Sequence, residues 1–301
     1  MQGSQTLPGE PGSRAKWTSE NIKNSQNSTV SPYYLTNSDQ HGHYWSVTAQ
    51  LQKDFASGLS LMAAYTRSES MSIQEGSGDQ VSSLFSGGNY SVNGSNLPEL
   101  GHSAFVSPNR LIANVSYRLK EGKNFATTFG LFYEGYNHCY VGGYSYTRRS
   151  YVMDNVTGEG GSANLMWIPT DSQLSQMPFK DDENRAAFKS FIEADKYLSA
   201  HRGEYSIRGA KVAPWQHRFN LKVAQDFVLD IANRPTTLQI GVDILNVANL
   251  LNSNWGLATR YDRENILTFK DGVYTFTAPV ETKYASTVNT WQALFSARLF
   301  F

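Results

Sequence analysis

Few residues in this chain of 301 residues have the types and spacing that catalysis or metal binding needs. His41 and His43 form a pair that could hold a metal ion, but no third ligand lies near them in sequence. His138 and Cys139 could supply a base and a nucleophile, although an ordinary structural pair explains them more simply. We therefore predict no metal site and no catalytic residue at these positions.

One loop segment, "MDNVTGEGGSAN", offers oxygen ligands of the kind that Ca²⁺ prefers. Asp154, Asn155 and Glu159 lie near glycines, but their spacing is poor for a calcium loop and favours an ordinary surface loop. The chain also lacks a nucleophile-elbow motif and the glycine motifs that bind phosphates or dinucleotides. We expect a protein that is not an enzyme and that needs no cofactor.

Composition excludes several other classes of function. The 26 basic and 26 acidic residues cancel, so no net charge attracts nucleic acid. A single cysteine rules out an internal disulfide and a multi-thiolate metal site. No apolar run is long enough for a transmembrane helix. Aromatic residues make up 13% of the chain, which favours a strand-rich fold.

Seven segments alternate apolar and polar residues, the pattern of a strand with two different faces. The clearest is "PWQHRFNLKVAQDF", where Trp215, Phe219, Leu221, Val223 and Phe227 share one face. The segments begin near residues 45, 59, 111, 125, 215, 238 and 291. Short and long connections alternate between them, as in outer-membrane barrels. The long loops are 70–107, 148–213 and 249–288, and residues 1–42 would be an irregular extracellular loop.

Aromatic residues at the strand ends favour a membrane barrel over a soluble β-sandwich. Trp45 and Phe55 bracket one strand, and Trp215 and Phe227 bracket another. About ten residues at roughly 3.3 Å each, tilted by about 45°, span about 23 Å. That distance matches the apolar band of about 25 Å between the aromatic girdles of such barrels. Strands of soluble sandwiches are shorter, at about five or six residues.

The long loops contain elements of their own. Helical spacing and an acidic first turn predict a short helix around 182–200, and Asp271-Gly272 predicts a hairpin turn. The inward-facing charged residues carry both signs, which fits a wall packed against a folded plug better than a selective pore. They are Arg118, Glu134, Arg218, Lys222, Asp226, Asp243 and Arg298.

The last strand, "NTWQALFSARLFF", ends on an aromatic residue with apolar residues at alternate positions before it. It resembles the C-terminal assembly signal of bacterial outer-membrane barrels. The resemblance implies that the barrel-assembly machinery recognises Trp291, Phe295, Leu299 and Phe301. An ordinary membrane-facing strand would use the same residues, so the two interpretations are compatible.

Longer stretches resemble the C-terminal part of TonB-dependent outer-membrane transporters, closest to the Oar-like group found among Bacteroidetes. They are "APWQHRFNLKVAQDF", "LQIGVDILNVANLLNSNWG", "FIEADKYLSAHRGEY" and "WQALFSARLFF". The resemblance covers residues 43–301 and implies seven strands of a 22-stranded barrel. It also implies an N-terminal plug, energy from the TonB complex, and a ligand such as a siderophore, glycan or peptide.

The chain departs from that family because it lacks the plug, the TonB-contacting segment and a signal peptide. We therefore expect a C-terminal piece of a longer transporter. Tyr144, Tyr146, Trp167 and Trp255 are candidates for ligand contact, with packing inside the loops as the alternative. Two other functions remain open: a non-transporting outer-membrane surface or adhesion protein, and a soluble β-sandwich that binds or hydrolyses a ligand.

Overall fold

The computed structural model describes residues 2–18, 26–27, 36–75, 79–86, 90–137, 150–159, 163–231, 234–263 and 265–301. The first strands are β1 (Gln2–Thr6), β2 (Ser13–Trp17), β3 (His43–Asp54), β4 (Leu59–Ser72), β5 (Gly101–His102), β6 (Asn109–Glu121), β7 (Phe125–Asn137), β8 (Val152–Asp154) and β9 (Ala163–Leu165). The later strands are β10 (Trp167–Ile168), β11 (Glu204–Tyr205), β12 (Trp215–Ile231), β13 (Arg234–Leu245), β14 (Ala258–Tyr261), β15 (Asn265–Lys270), β16 (Val273–Phe276), β17 (Glu281–Tyr284) and β18 (Gln292–Phe300). The helices are α1 (Val81–Ser86), α2 (Asp171–Gln176), α3 (Asp182–Ala194), α4 (Lys196–Ala200) and α5 (Val247–Leu251).

Seven long strands form one antiparallel meander, in which each strand pairs with the next long strand along the chain. The order is β3, β4, β6, β7, β12, β13 and β18, with the short strand β5 beside β4. Their lengths run from 9 residues in β18 to 17 in β12, longer than is usual in soluble sheets. The seven predicted strands and the all-β antiparallel class are confirmed, while the 22-strand count stays a prediction.

The two faces of this sheet differ because successive side chains of a strand point to opposite sides. The apolar face is defined by large exposed side chains: Val47, Leu51, Leu61, Val115, Tyr117, Phe129, Leu131, Ile240 and Phe295. The polar face is defined by Thr48, Asn114, Arg118, Thr128, Glu134, Lys222, Asp226, Gln239 and Asp243. A sheet that leaves such a broad apolar surface uncovered is typical of an interaction with lipid.

The main buried core lies outside this sheet, in what we call the loop layer: β1–β2 with residues 90–103, 150–211 and 257–284. Its fully buried apolar side chains include Met153, Met166, Ile168, Phe188, Ile192, Leu198, Leu267 and Tyr274. Strands β16, β15, β8 and β9 form a four-stranded sheet within the loop layer. The strand pairs β10–β11 and β14–β17 also belong to the loop layer. The long connections therefore fold into a packed layer of their own.

Two expectations for the connections need correction, and a third is confirmed. Residues 1–42 are not wholly irregular, because β1 and β2 pair as a hairpin and Leu7 between them is buried in the loop layer. The single helix expected around 182–200 is two helices. Asp195 separates them because its carboxylate accepts the backbone N–H groups of Tyr197 and Leu198 at 2.9 and 3.1 Å and starts α4. The Asp271-Gly272 hairpin is confirmed, with positive φ at both residues.

Candidate functional site

The apolar face ends in aromatic side chains at both ends of β3. Trp45 is exposed, and its Nε1 donates a hydrogen bond to the Glu69 carboxylate on β4 at 2.8 Å. At the other end Phe55 is exposed, and the Lys53 ammonium lies 5.9 Å from its ring centre. An apolar ring with a polar partner suits the boundary between hydrocarbon and water.

The same arrangement occurs on β12. The exposed Trp215 ring is stacked 6.0 Å from His217, and the Tyr133 hydroxyl lies 2.8 Å from His217 Nδ1. At the opposite end of the strand, Phe227 packs edge-to-face against Phe125 at 5.8 Å. The four predicted girdle residues therefore lie at or near the ends of two membrane-length strands, with Phe227 four residues before the end of β12. Their contact with lipid stays a prediction.

The terminal strand places its predicted recognition residues on one side. Trp291, Phe295, Leu299 and Phe301 are all exposed, and Phe295 lies opposite Val242 in the pairing with β13. Within the described segments, no strand pairs with the other edge of β18. Recognition by the assembly machinery stays a prediction, and the exposure of these residues is compatible with it.

The candidate ligand-contacting residues fall into three groups. Tyr144 and Tyr146 lie outside the described residues, as do His138 and Cys139. Trp255 is exposed at the turn after α5 and remains a candidate for ligand contact.

Trp167 instead belongs to the core of the loop layer. Its ring is buried edge-to-face against Tyr205 at 4.7 Å, and its Nε1 donates to Gln173 Oε1 at 3.3 Å. A side chain buried in this way cannot meet an external ligand, so packing inside the loops is the correct interpretation for Trp167. Its partners are 6 and 38 residues away in sequence, and only the tertiary fold identifies the second.

Three of the candidate metal ligands contact other groups of the protein. Asp154 accepts the Phe269 N–H at 3.0 Å, and Glu159 accepts the Asn96 N–H at 2.6 Å. Burial raises the pKa of both carboxyl groups. His43 faces the Glu69 carboxylate at 3.9 Å. Across the part of the chain that the structure describes, no three His, Cys, Asp or Glu side chains are arranged to hold a metal ion.

An interlocked turn follows β13, and its role was not predicted from the sequence. Asn246 has a φ of 50°, and its Nδ2 donates to the Asn289 carbonyl at 2.7 Å. Asn249 accepts the Trp291 N–H at 3.1 Å and thereby fixes the start of β18. Gly256 has a φ of 70°, a conformation that favours glycine, and a Cβ there would lie 2.0 Å from Asn246 Oδ1. The turn therefore joins α5 and the last two long strands.

A family model described as an outer membrane beta barrel domain matches residues 4–262, well over half of the chain. The chain belongs to this family. An outer-membrane β-barrel domain resides in the bacterial outer membrane, as predicted. No curated protein and no solved structure matches the chain. Among the described residues, no helix is long and apolar enough to cross a membrane.

In an outer-membrane barrel the apolar face meets lipid and the polar face lines the lumen. The polar face of this β-barrel domain carries three ion pairs across its central strands. They are Arg110–Glu134 at 2.6 Å, Arg118–Asp226 at 2.5 Å and Lys222–Asp243 at 3.5 Å. Alternation along the strands was sufficient to place most of these residues on one face of the sheet, but not to show how their charges are paired.

Proposed function

We propose that this outer-membrane β-barrel domain is part of the wall of a TonB-dependent, Oar-like receptor that imports a ligand. The observation that carries the proposal is the interlocked turn. Residues 214–256 hold the most specific resemblance to that group, and Asn246, Asn249 and Gly256 of "NVANLLNSNWG" each have a structural role in the turn. The resemblance thus rests on residues with a demanding geometry.

The parts of the chain would have separate roles in such a receptor. The seven long strands would form the wall, and the polar face would pack against a plug. The loop layer and the exposed Trp255 would contribute to the extracellular ligand surface. The role would be transport rather than catalysis, with energy delivered by the TonB complex outside this segment.

Two further partners belong to the same proposal. The apolar face and its girdle residues would contact outer-membrane lipid. The barrel-assembly machinery would recognise the terminal strand through Trp291, Phe295, Leu299 and Phe301, which are exposed on one side.

The test is capture of TonB by the native protein. The polypeptide that carries residues 43–301 is isolated from outer membranes of crosslinked cells with an antibody against its terminal strand. We expect the antibody to co-isolate TonB well above the level found with a porin isolated in the same way. TonB at the porin level would contradict the proposal and favour a non-transporting surface or adhesion protein.

A further inference from the structure

An arginine interrupts the apolar face of the sheet on β4. Arg67 points to the same side as Leu61 and Tyr65, and it lies opposite Val47 on β3. Its side chain is exposed, and among the described residues no carboxylate forms an ion pair with it. Closing the sheet into a barrel would leave this outer face uncovered, and a plug would pack on the other face. The exposure of Arg67 therefore does not depend on the sheet being open.

A row of polar side chains across three strands positions Arg67. Its Nη1 donates to Asn109 Oδ1 at 3.1 Å, and the Tyr65 hydroxyl donates to the same oxygen at 2.6 Å. Asn109 Nδ2 donates to Asn137 Oδ1 at 2.8 Å, and the buried Asn137 donates in turn to the Ala213 carbonyl at 3.0 Å. A guanidinium has five N–H groups, so this row orients Arg67 with only part of its capacity to donate.

Arg67 lies near the predicted boundary between hydrocarbon and water. Glu69, two residues further along β4, accepts a hydrogen bond from Nε1 of the girdle residue Trp45 at 2.8 Å and lies 3.5 Å from His102 Nδ1. Two residues of a strand span roughly 7 Å. A long arginine side chain can cover that distance and bring its charged end to the headgroups, where an arginine costs far less than at the bilayer midplane.

We propose that Arg67, with the Tyr65 hydroxyl beside it, binds the phosphate headgroup of a membrane lipid in the leaflet next to the loop layer. The planar fork of a guanidinium matches a phosphate, to which it can donate two parallel hydrogen bonds. The acyl chains of the same lipid would lie on the apolar face that continues along β4 towards Leu61. The inference rests on the lipid contact of the apolar face in the proposed function, and not on TonB or on a transported ligand.

The test measures lipid retention by native mass spectrometry of the full-length protein in a neutral detergent. The protein is titrated with phosphatidic acid and, separately, with diacylglycerol that has the same acyl chains and no phosphate. We expect phosphatidic acid to be retained much more strongly, and equal retention of the two lipids would overturn the proposal. Inorganic phosphate should leave the lipid bound. Displacement by inorganic phosphate would indicate a site for an aqueous anion and would also overturn the proposal.

Two variants on the same face make the test specific, because they change its charge in opposite directions. We expect Arg67→Gln to weaken retention of phosphatidic acid about tenfold, the loss of a hydrogen bond between charged groups. Glu69→Gln keeps an acceptor for Trp45 but removes a negative charge roughly 7 Å away, and it should strengthen retention about threefold. A purely structural effect would move both variants in the same direction, which would contradict the proposal.

Arg110→Gln provides a matched control with the same change of charge. Arg110 lies on β6 opposite Thr66, the neighbour of Arg67, and its side chain belongs to the polar face, where it pairs with Glu134. Its lipid retention should equal that of the unmodified protein, and a loss as large as that of Arg67→Gln would refute the proposal. Heat-modifiable migration on a gel checks that each variant is folded. The assay contains no TonB, so its failure is distinct from failure of the transport proposal.

Discussion

Changing Arg14 to methionine tests how the N-terminal hairpin is held on the loop layer. Arg14 is fully buried, and two of its nitrogens donate to the Glu10 carboxylate at 2.8 and 2.9 Å. Its third nitrogen donates to the carbonyls of Val92 and Leu165 at 3.1 and 2.9 Å. The guanidinium also lies 4.8 Å from the centre of the Tyr205 ring. One side chain therefore joins the hairpin to two other segments.

The expected cost follows from what the substitution leaves behind. Removing one partner of a buried ion pair costs about 3–5 kcal/mol, because the other charge stays buried without compensation. Here the remaining charge is Glu10, whose one other hydrogen bond among the described residues comes from the Tyr205 hydroxyl at 3.0 Å. Burial and the charge of Glu10 raise the pKa of Tyr205 to about 12, so that hydroxyl stays a donor. A loss of about 3 kcal/mol raises the undocked population more than a hundredfold.

Hydrogen exchange of the full-length protein in detergent measures this change. We expect amides of residues 2–17 to exchange at least about a hundredfold faster in Arg14→Met, while amides of β7 and β12 keep their rates. The double variant Glu10→Leu/Arg14→Met should recover much of the protection, because it leaves no buried charge. Hairpin exchange within about fivefold of the unmodified protein would refute the reasoning, and so would a double variant as unstable as the single one.

Three further predictions concern the wall, its assembly and the pH response of the loop layer. Val115→Arg places a charge on the apolar face and should lower the free energy of unfolding in lipid by about 2–4 kcal/mol. Ser116→Arg on the polar face should lower it far less. Unfolding titrations in vesicles measure both variants. Deletion of Phe301 should reduce the amount of folded protein in the outer membrane, as measured by heat-modifiable migration. Burial tends to raise the pKa of Asp195. The ammonium of Lys211 at 3.0 Å and the hydrogen bond from the Tyr151 hydroxyl have the larger combined effect, so the pKa of Asp195 is lowered. That stabilisation is present above the unfolded pKa near 4 and is lost as pH falls through the lower folded pKa. Asp195→Asn should thus loosen the loop layer at pH 7 and match the unmodified protein in strong acid by hydrogen exchange.

The long strands could be predicted from the sequence because two solvents impose their pattern. Lipid on one side and an aqueous lumen on the other require side chains to alternate in polarity, and "PWQHRFNLKVAQDF" shows it without interruption. The hairpin at Asp271-Gly272 was also predictable, since few residues adopt positive φ at two successive positions. Both signals are local, and both were confirmed.

The loop layer could not be predicted in the same way, because its contacts are remote in sequence. Arg14 contacts carbonyl groups 78 and 151 residues away, and no periodic pattern in the sequence predicts either contact. Trp167 and Trp255 have similar loop contexts in the sequence, yet one is buried and the other exposed.

The wall and the loop layer are stabilised by different interactions, and this difference bears on function. In lipid, the apolar face gains little from burial, so the wall depends on its continuous backbone hydrogen bonding between strands. The loop layer depends on a buried apolar core and on groups such as the Arg208–Glu75 pair, whose atoms lie 3.2 Å apart beside the end of β4. Substitutions in the loop layer should therefore alter the proposed ligand surface while leaving the sheet of long strands intact.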